Sequence, residues 1–143
     1  MRTEVGRVRE HTSPRANGKI DRQIRESVRD YEFRSAPEIT RRIEELDREW
    51  DVERILEANA STLALAGLAL GATHDRKWLM IPGLVLPFLL QHALHGWCPP
   101  LPVLRSLGVR TRREIDREKY ALKALRGDFD DIRTPEAAVS ATQ

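Results

Sequence analysis

Two uncharged stretches dominate this 143-residue sequence: ANASTLALAGLALGAT at residues 58–73 and WLMIPGLVLPFLLQHALHGW at residues 78–97. The second has about 20 residues, the length that a helix needs to cross the hydrocarbon core of a bilayer. Ile55 and Leu56 extend the first stretch towards the N-terminus. Because only residues 74–77 separate the two stretches, the sequence predicts an antiparallel transmembrane hairpin.

The buried core of a soluble helical bundle is the alternative interpretation of these stretches. Their polar residues, such as Asn59 and Gln91, and the many alanines of the first stretch favour it. A soluble helix, however, normally carries a charged face, and neither stretch has one. Tryptophans at positions 50, 78 and 97 also suit the aromatic belt of a membrane interface. The pattern as a whole favours the membrane.

The charged residues concentrate on either side of the hairpin. All but two of the 24 Lys and Arg lie outside residues 55–104, and acidic residues accompany them, so the net charge is only +2. Basic residues with matching carboxylates argue against a nucleic-acid partner. The first fifty residues contain no apolar run of the kind that precedes a signal-cleavage site, so we expect no signal peptide.

The segments outside the hairpin predict short amphipathic helices. Ile20, Ile24, Val28 and Tyr31 recur at helical spacing, and the stretch from Ser35 begins a second such helix. The fold class predicted is all-α: a transmembrane two-helix hairpin with amphipathic helices flanking it on the cytoplasmic side. The predicted segments are a disordered N-terminus (1–19), an amphipathic helical segment (20–50), the hairpin (51–111), a cytoplasmic helix (112–127) and a disordered tail (128–143).

Small residues form one face of the first stretch. They are Ala60, Ala64, Gly67 and Gly71, and the last two make a GxxxG pattern. Small side chains let helix backbones approach closely in lipid. The face therefore predicts helix packing, either with the second helix of the same hairpin or with another copy of the chain. We expect a homo-oligomer.

Residues 50–111 resemble a known family. The stretch Trp50–Leu56 leads into the small-residue helix, and Gly96-Trp97-Cys98-Pro99 is followed by a short apolar run that ends in Leu107-Gly108-Val109. Together these are similar to the YgaP-like inner-membrane domain. The resemblance implies a two-helix hairpin in the bacterial inner membrane and places Cys98 on the family's cysteine position. It implies no activity, and because the flanking segments are short and lack a second cysteine, we expect no rhodanese domain of the kind sometimes fused to such hairpins.

Cys98 is the main candidate for chemistry. A thiol at the membrane boundary can carry a persulfide, accept a lipid or be oxidised. It follows the C-terminal end of a helix, however, where the dipole disfavours the thiolate that reactivity requires. A structural role at a tight Cys-Pro turn is the alternative, and the electrostatics favour it.

His92 and His95 share a helix face shortly before Cys98, and the three side chains suggest zinc or haem. A structural zinc site normally has four ligands, and no fourth ligand is evident nearby, so we predict no metal and no cofactor. We expect no enzyme: the leading hypothesis is a membrane module that scaffolds or recruits a cytoplasmic protein partner. A sulfur-handling or transport protein that uses Cys98 and a metal or haem binder are the alternatives.

The distribution of Lys and Arg predicts a multi-pass protein with both termini in the cytoplasm. The connecting loop carries only Arg76 and Lys77. The positive-inside rule compares these with the basic residues near the outer ends of the two stretches. Those residues are Arg41, Arg42, Arg48 and Arg54 before the hairpin and Arg105, Arg110, Arg112, Arg113 and Arg117 after it.

Overall fold

The computed structural model describes residues 6–142 as an all-helical chain, with no strand in that range. The helices are α1 (Arg7–Glu10), α2 (Pro14–Asp30), α3 (Ala36–Arg48), α4 (Val52–Thr73), α5 (Met80–His95), α6 (Leu101–Ser106), α7 (Arg112–Arg126) and α8 (Pro135–Thr142). A 3-10 turn, Arg76–Leu79, leads directly into α5. The predicted all-α class is confirmed.

The chain divides into two compact units, which we describe separately. The hairpin unit contains Trp50–Thr111 and the N-terminal segment up to Asn17. The charged-helix unit contains Gly18–Glu49 and the chain from Arg112 onwards. The N-terminal segment thus belongs to the same unit as α4 and α5, although more than thirty residues separate it from them in the sequence.

Two helical runs of the hairpin unit are long and apolar enough to cross a membrane. The first ends at Thr73 and includes α4, which has 22 residues and extends about 33 Å at about 1.5 Å per residue. The Asp51 carboxylate starts it by accepting a hydrogen bond from the Arg54 N–H at 2.8 Å. The second runs through the 3-10 turn and α5, from Arg76 to His95, and has 20 residues. Asp75 caps this run by accepting from the Lys77 N–H at 2.9 Å.

The apolar side chains of these two runs are mostly not buried within the chain. Only 22% of the apolar part of the first run and 11% of the second lie inside the protein. A core helix of a soluble protein would be mostly buried, because apolar surface left in water is unfavourable. Large apolar side chains exposed along the two helices are Leu63, Leu65, Leu68, Leu84, Leu86, Leu90 and Leu94.

The N-terminal segment differs from the disorder predicted for residues 1–19. Residues 7–10 form α1 and α2 starts at Pro14, whereas residues 1–5 lie outside the described part of the chain. Val8 is buried in the core of the hairpin unit, and the Thr12 hydroxyl donates to its carbonyl oxygen at 2.6 Å. Burial of one apolar side chain and bonds to the backbone order a segment that has almost nothing else to bury.

The C-terminal segment also differs from the prediction of a disordered tail over 128–143. It contains α8, and residue 143 lies outside the described part. The Thr134 hydroxyl accepts from the Ala137 N–H at 3.2 Å and so caps the start of this helix. At the other end, the Lys123 ammonium donates to the Ala141 carbonyl oxygen at 3.1 Å. Both bonds supply partners for helix-end groups that would otherwise lack them.

In the charged-helix unit, α3 packs against α7. Two partly buried side chains, Val28 of α2 and Tyr31 just after it, pack against their shared core. The buried members of that core are Ile39, Ile43, Leu46, Ile115 and Leu122. Ser35 caps the start of α3, and its backbone N–H and hydroxyl donate to the Glu38 carboxylate at 3.0 and 2.7 Å. These two hydrogen bonds lower the pKa of Glu38.

Candidate functional site

The cysteine of the Gly96–Pro100 turn lies in an apolar cluster that we call the hairpin base. Its buried members are Val8 of α1, Val52 and Leu56 of α4, Cys98, and Leu101 of α6. The cluster joins four separate parts of the chain where α4 begins and α5 ends. The Val52 N–H also donates to the Arg110 carbonyl oxygen at 2.9 Å, which ties the beginning of the hairpin to its exit.

Gly96 allows the N-terminal segment to reach this cluster. Its φ of 77° is left-handed, and a Cβ built on it would lie 2.5 Å from the Cβ of Arg7. Glycine alone combines that backbone conformation with so close an approach. The Arg7 guanidinium then donates to the carbonyl oxygens of Ala93 and Leu94 at 2.7 and 3.2 Å. A cation here complements the negative end of the α5 dipole.

Arg105 is the most deeply buried charged side chain of the hairpin unit, with 1% of its surface exposed. Its Nε donates to the Thr12 hydroxyl at 3.1 Å, and Nη2 donates to the Asn17 side-chain oxygen at 2.9 Å. Nη1 donates to the Val109 carbonyl oxygen at 3.0 Å. The guanidinium therefore links α6 by hydrogen bonds to the N-terminal segment and to the residues that follow the hairpin. The same bonds give its N–H donors their acceptors.

Sequence reasoning missed this arginine network. One feature of the sequence could have indicated the network, because Arg105 is the one charged residue between Cys98 and Val109. A charge inside an apolar run needs hydrogen-bonding partners when it is buried. Those partners, Thr12 and Asn17, lie in a segment that the sequence predicted to be disordered, so they could not be identified.

Cys98 lies at the centre of the hairpin base, with 4% of its surface exposed. Burial raises the pKa of its thiol, because the thiolate loses hydration. A reactive cysteine requires an exposed and electropositive site that lowers its pKa. The surroundings of Cys98 thus favour the structural alternative that the sequence left open.

We expect Cys98 to react slowly with a water-soluble maleimide at neutral pH and rapidly once the chain is unfolded in dodecyl sulfate. The physical reason is twofold: the thiol is covered, and its raised pKa leaves little thiolate. Mass spectrometry of samples quenched over time measures the rate. Ser106→Cys in a Cys98→Ala background is the matched control, since Ser106 is exposed on α6. Equal rates at the two positions would mean that Cys98 is accessible and available for chemistry.

The two candidate histidines differ in their exposure to the surroundings of the protein. His92 is buried, whereas His95 is exposed at the end of α5. His92 Nδ1 has no hydrogen-bond partner in the described part of the chain, and the same holds for the buried Oε2 of Glu53. The charges that act on His92 are the carboxylates of Glu53 and Glu57 and the Arg7 guanidinium. Within residues 6–142, no group of three or more His, Cys, Asp or Glu side chains is arranged to hold a metal ion.

The predicted small-residue face of α4 lies against the second half of its own hairpin. Ala64 and Gly67 are buried, and Ala60 and Gly71 are half-buried. A Cβ built on Gly67 would lie 2.5 Å from Pro82 Cδ and 3.0 Å from the Trp78 carbonyl oxygen. A Cβ on Gly71 would lie 2.5 Å from a Leu79 methyl carbon. Because these contacts are within one chain, the face offers no support for the homo-oligomer.

The charged-helix unit contains a second buried polar network, centred on Glu118 of α7, with 1% of its surface exposed. Its Oε1 accepts from Ser27 Oγ at 2.6 Å and from Arg42 Nη2 at 3.0 Å. Beside it, the Lys119 ammonium donates to Asp47 at 2.6 Å. These bonds connect α2, α3 and α7 through side chains that carry charge, which fixes their register.

Comparison of the chain with protein-family models, with curated proteins and with solved structures finds no match.

Proposed function

We propose that this chain is a small integral membrane protein of the bacterial inner membrane, and that its hairpin anchors a charged helical unit that scaffolds or recruits a protein partner. One observation carries the membrane part of the proposal. Most leucines along α4 and α5 are exposed, and 22% or less of either apolar run is buried. Exposed apolar surface of that extent requires a covering, and a bilayer matches the lengths of both helices.

The resemblance to the YgaP-like inner-membrane domain forms part of this proposal. Gly96 and Cys98, which carry the resemblance, hold the base of the hairpin together by a close approach and by burial. Such roles fit an anchoring module better than a reactive centre. The buried thiol with a raised pKa gives the sulfur-handling alternative no specific support.

The scaffold part of the proposal comes from the charged-helix unit. Its helices are held together by an apolar core and by two ion pairs, in each of which one partner is buried: Glu118 with Arg42, and Lys119 with Asp47. The outer surface of these helices is therefore a fixed surface to which a partner can bind. Exposed side chains of both signs cover that surface, among them Arg25, Glu26, Arg41, Glu44 and Arg113. Mixed charge of this kind favours a protein surface of complementary charge over anionic lipid.

Both termini are expected in the cytoplasm, because nine basic residues near the outer ends of the hairpin outweigh the two of the loop. Fusion of the C-terminus to a fluorescent protein and, separately, to alkaline phosphatase tests this. We expect fluorescence without phosphatase activity. A third fusion placed after Asp75 is the control and should give the reverse, since the loop lies on the opposite side. Phosphatase activity at the C-terminus would reject the orientation.

Site-specific photocrosslinking tests the recruiting role. A photoreactive amino acid at Arg25 or Arg41, in the native organism, should give discrete protein adducts. The same residue at Leu86, which faces outwards from α5, should give lipid adducts. Lipid adducts at Leu86 with no protein adduct at either arginine would leave the membrane anchor standing and would contradict the recruiting role.

A further inference from the structure

Helix α6 has one face that is buried in the hairpin unit and one face that is exposed on its surface. Leu101 and Arg105, one turn apart, are buried almost completely. Val103 and Leu107, the residue that ends α6 as its C-cap, are also one turn apart, and 60% and 71% of their surfaces are exposed. We call Val103 and Leu107 the outer face of α6. Two large aliphatic side chains that point away from the protein need an explanation beyond packing of the chain.

The position of α6 relative to the hairpin is fixed by contacts within the unit. Leu101 packs with Val52 and Leu56, which belong to the first turns of α4. The same cluster holds Cys98, just after the end of α5. The outer face of α6 is therefore level with the end of the hairpin at which α4 begins and α5 finishes. On the membrane reading this level is the boundary between acyl chains and headgroups.

Neighbouring side chains at this level have the chemistry of an interface. Trp50, just before α4, is half-exposed, and the Arg54 guanidinium lies 4.7 Å from the centre of its ring. Tryptophan and arginine are favoured at the headgroup level, where one end of the side chain is apolar and the other is hydrated. Leu90 and Leu94 continue an exposed apolar surface along α5 up to the turn that precedes α6.

We infer that α6 lies in the interfacial region of the leaflet where the hairpin begins and ends, with its outer face inserted between the lipids. This inference rests on the proposed membrane hairpin and adds a second kind of contact to it. The only charged side chain of α6, Arg105, points inwards to Thr12 and Asn17, so it does not oppose insertion of the outer face.

Lipid is the occupant that fits this face. A stable contact with a protein normally buries about 800 Å² on each partner, and two side chains on a six-residue helix cannot supply that area. The exposed leucines Leu90 and Leu94 of α5 come shortly before α6 in the chain and have the same aliphatic chemistry as its outer face. Because its chemistry is aliphatic, the insertion does not depend on lipid charge.

Depth-dependent fluorescence quenching in proteoliposomes tests the inference. Single cysteines replace Val103, Leu107, Ser106 or Leu86 in a Cys98→Ala background of the full chain and are labelled with the environment-sensitive dye NBD. The vesicles are made of phosphatidylcholine, alone or mixed with phosphatidylglycerol, and contain lipids that carry a doxyl quencher near the headgroup or near the chain end. Ser106 is the control on the same helix, exposed but polar. Leu86 is the control within the span.

We expect dyes at Val103 and Leu107 to be quenched more by the shallow doxyl than by the deep one, at a depth of about 5–10 Å, and equally in both lipid mixtures. The dye at Ser106 should be quenched mainly by aqueous iodide. If the dyes at Val103 and Leu107 respond to iodide as Ser106 does, while Leu86 is quenched by the deep doxyl, the interfacial helix is wrong and the hairpin stands. Iodide quenching at Leu86 would reject the hairpin itself, and the inference with it.

Discussion

Replacing Gly67 with leucine is expected to unfold the hairpin, and replacing it with alanine is expected to lower its stability. Even the first carbon of a side chain at Gly67 would meet Pro82 Cδ at 2.5 Å and the Trp78 carbonyl oxygen at 3.0 Å. Neither atom can rotate away, because one belongs to a proline ring and the other to the backbone. Overpacking of this kind costs about 1–3 kcal/mol and more for larger side chains. Titration with dodecyl sulfate, followed by far-ultraviolet circular dichroism, measures the loss.

Two other glycines of the hairpin make this prediction specific. Gly71→Ala should cost less than Gly67→Ala, because the atoms it meets belong to the flexible Leu79 side chain. Gly83→Ala should leave stability unchanged or slightly raised, because nothing lies within 4 Å and alanine favours the helix. A change in oligomer size alone would contradict the packing of α4 against its own hairpin. If Gly67→Ala lowered the mass of a detergent-solubilised oligomer without lowering stability, the small-residue face of α4 would pair two copies of the chain.

Replacing Glu118 with alanine is expected to destabilise the charged-helix unit by about 3 kcal/mol. The change would remove the acceptor for Arg42 Nη2 and for the Ser27 hydroxyl, and it would leave a half-buried guanidinium without that carboxylate. The figure lies at the lower end of the range for broken buried ion pairs, because Arg42 retains 25% of its side-chain exposure and can rehydrate in part. Thermal unfolding of the full chain in detergent, followed by circular dichroism, measures the change.

The exposed pair between Arg117 and Asp21 is the matched control. It joins α7 to α2, as the hydrogen bond between Glu118 and Ser27 does, at 3.1 Å, but 57% of the arginine side chain is exposed. Water and salt screen such a pair, so Asp21→Ala should cost about 1 kcal/mol or less. Equal effects of Glu118→Ala and Asp21→Ala would contradict the view that the buried network fixes the register of these helices. The double variant Arg42→Met with Glu118→Leu should recover most of the loss.

The two helices of the hairpin could be predicted from sequence because the signal is local. An uncharged run of helical length and a connection of a few residues are sufficient, and neighbouring residues carry all of that information. The sequence also predicted the small-residue face, including Ala64 and Gly67, but it did not predict which residues pack against that face. Only the structure places Pro82 and Trp78 against it, since spacing along one helix says nothing about what covers the face.

The order of the N-terminal segment could not be predicted from its composition. Residues up to Asn17 contain few apolar side chains, and low apolar content normally means disorder. Their order comes from contacts that are distant in sequence: Arg105 bonds to Thr12 and Asn17, 93 and 88 residues away. Among residues 6–17, Val8 supplies the buried apolar side chain. Tertiary hydrogen bonds therefore replace the apolar burial that the composition lacks.

Helix α7 illustrates the limit of apolar periodicity. The spacing of Ile115, Leu122 and Leu125 in the sequence is typical of residues on one side of a helix. Ile115 and Leu122 are indeed fully buried, whereas Leu125 is exposed and Glu118 takes a place in the interior. A carboxylate is buried only where a partner neutralises it, and that partner, Arg42, lies 76 residues away. Counting apolar residues along one helix cannot reveal such a pair.

Extraction of native membranes with alkaline carbonate tests the membrane hairpin most directly. Carbonate releases peripheral proteins and leaves integral ones in the pellet, because helices buried in lipid have no favourable place in water. We predict that the chain stays in the pellet and is released only by detergent. A variant with Leu68→Arg and Leu86→Arg, which places a charge on the outward face of each helix, should shift towards the supernatant. Release of the unaltered chain by carbonate would contradict the transmembrane hairpin.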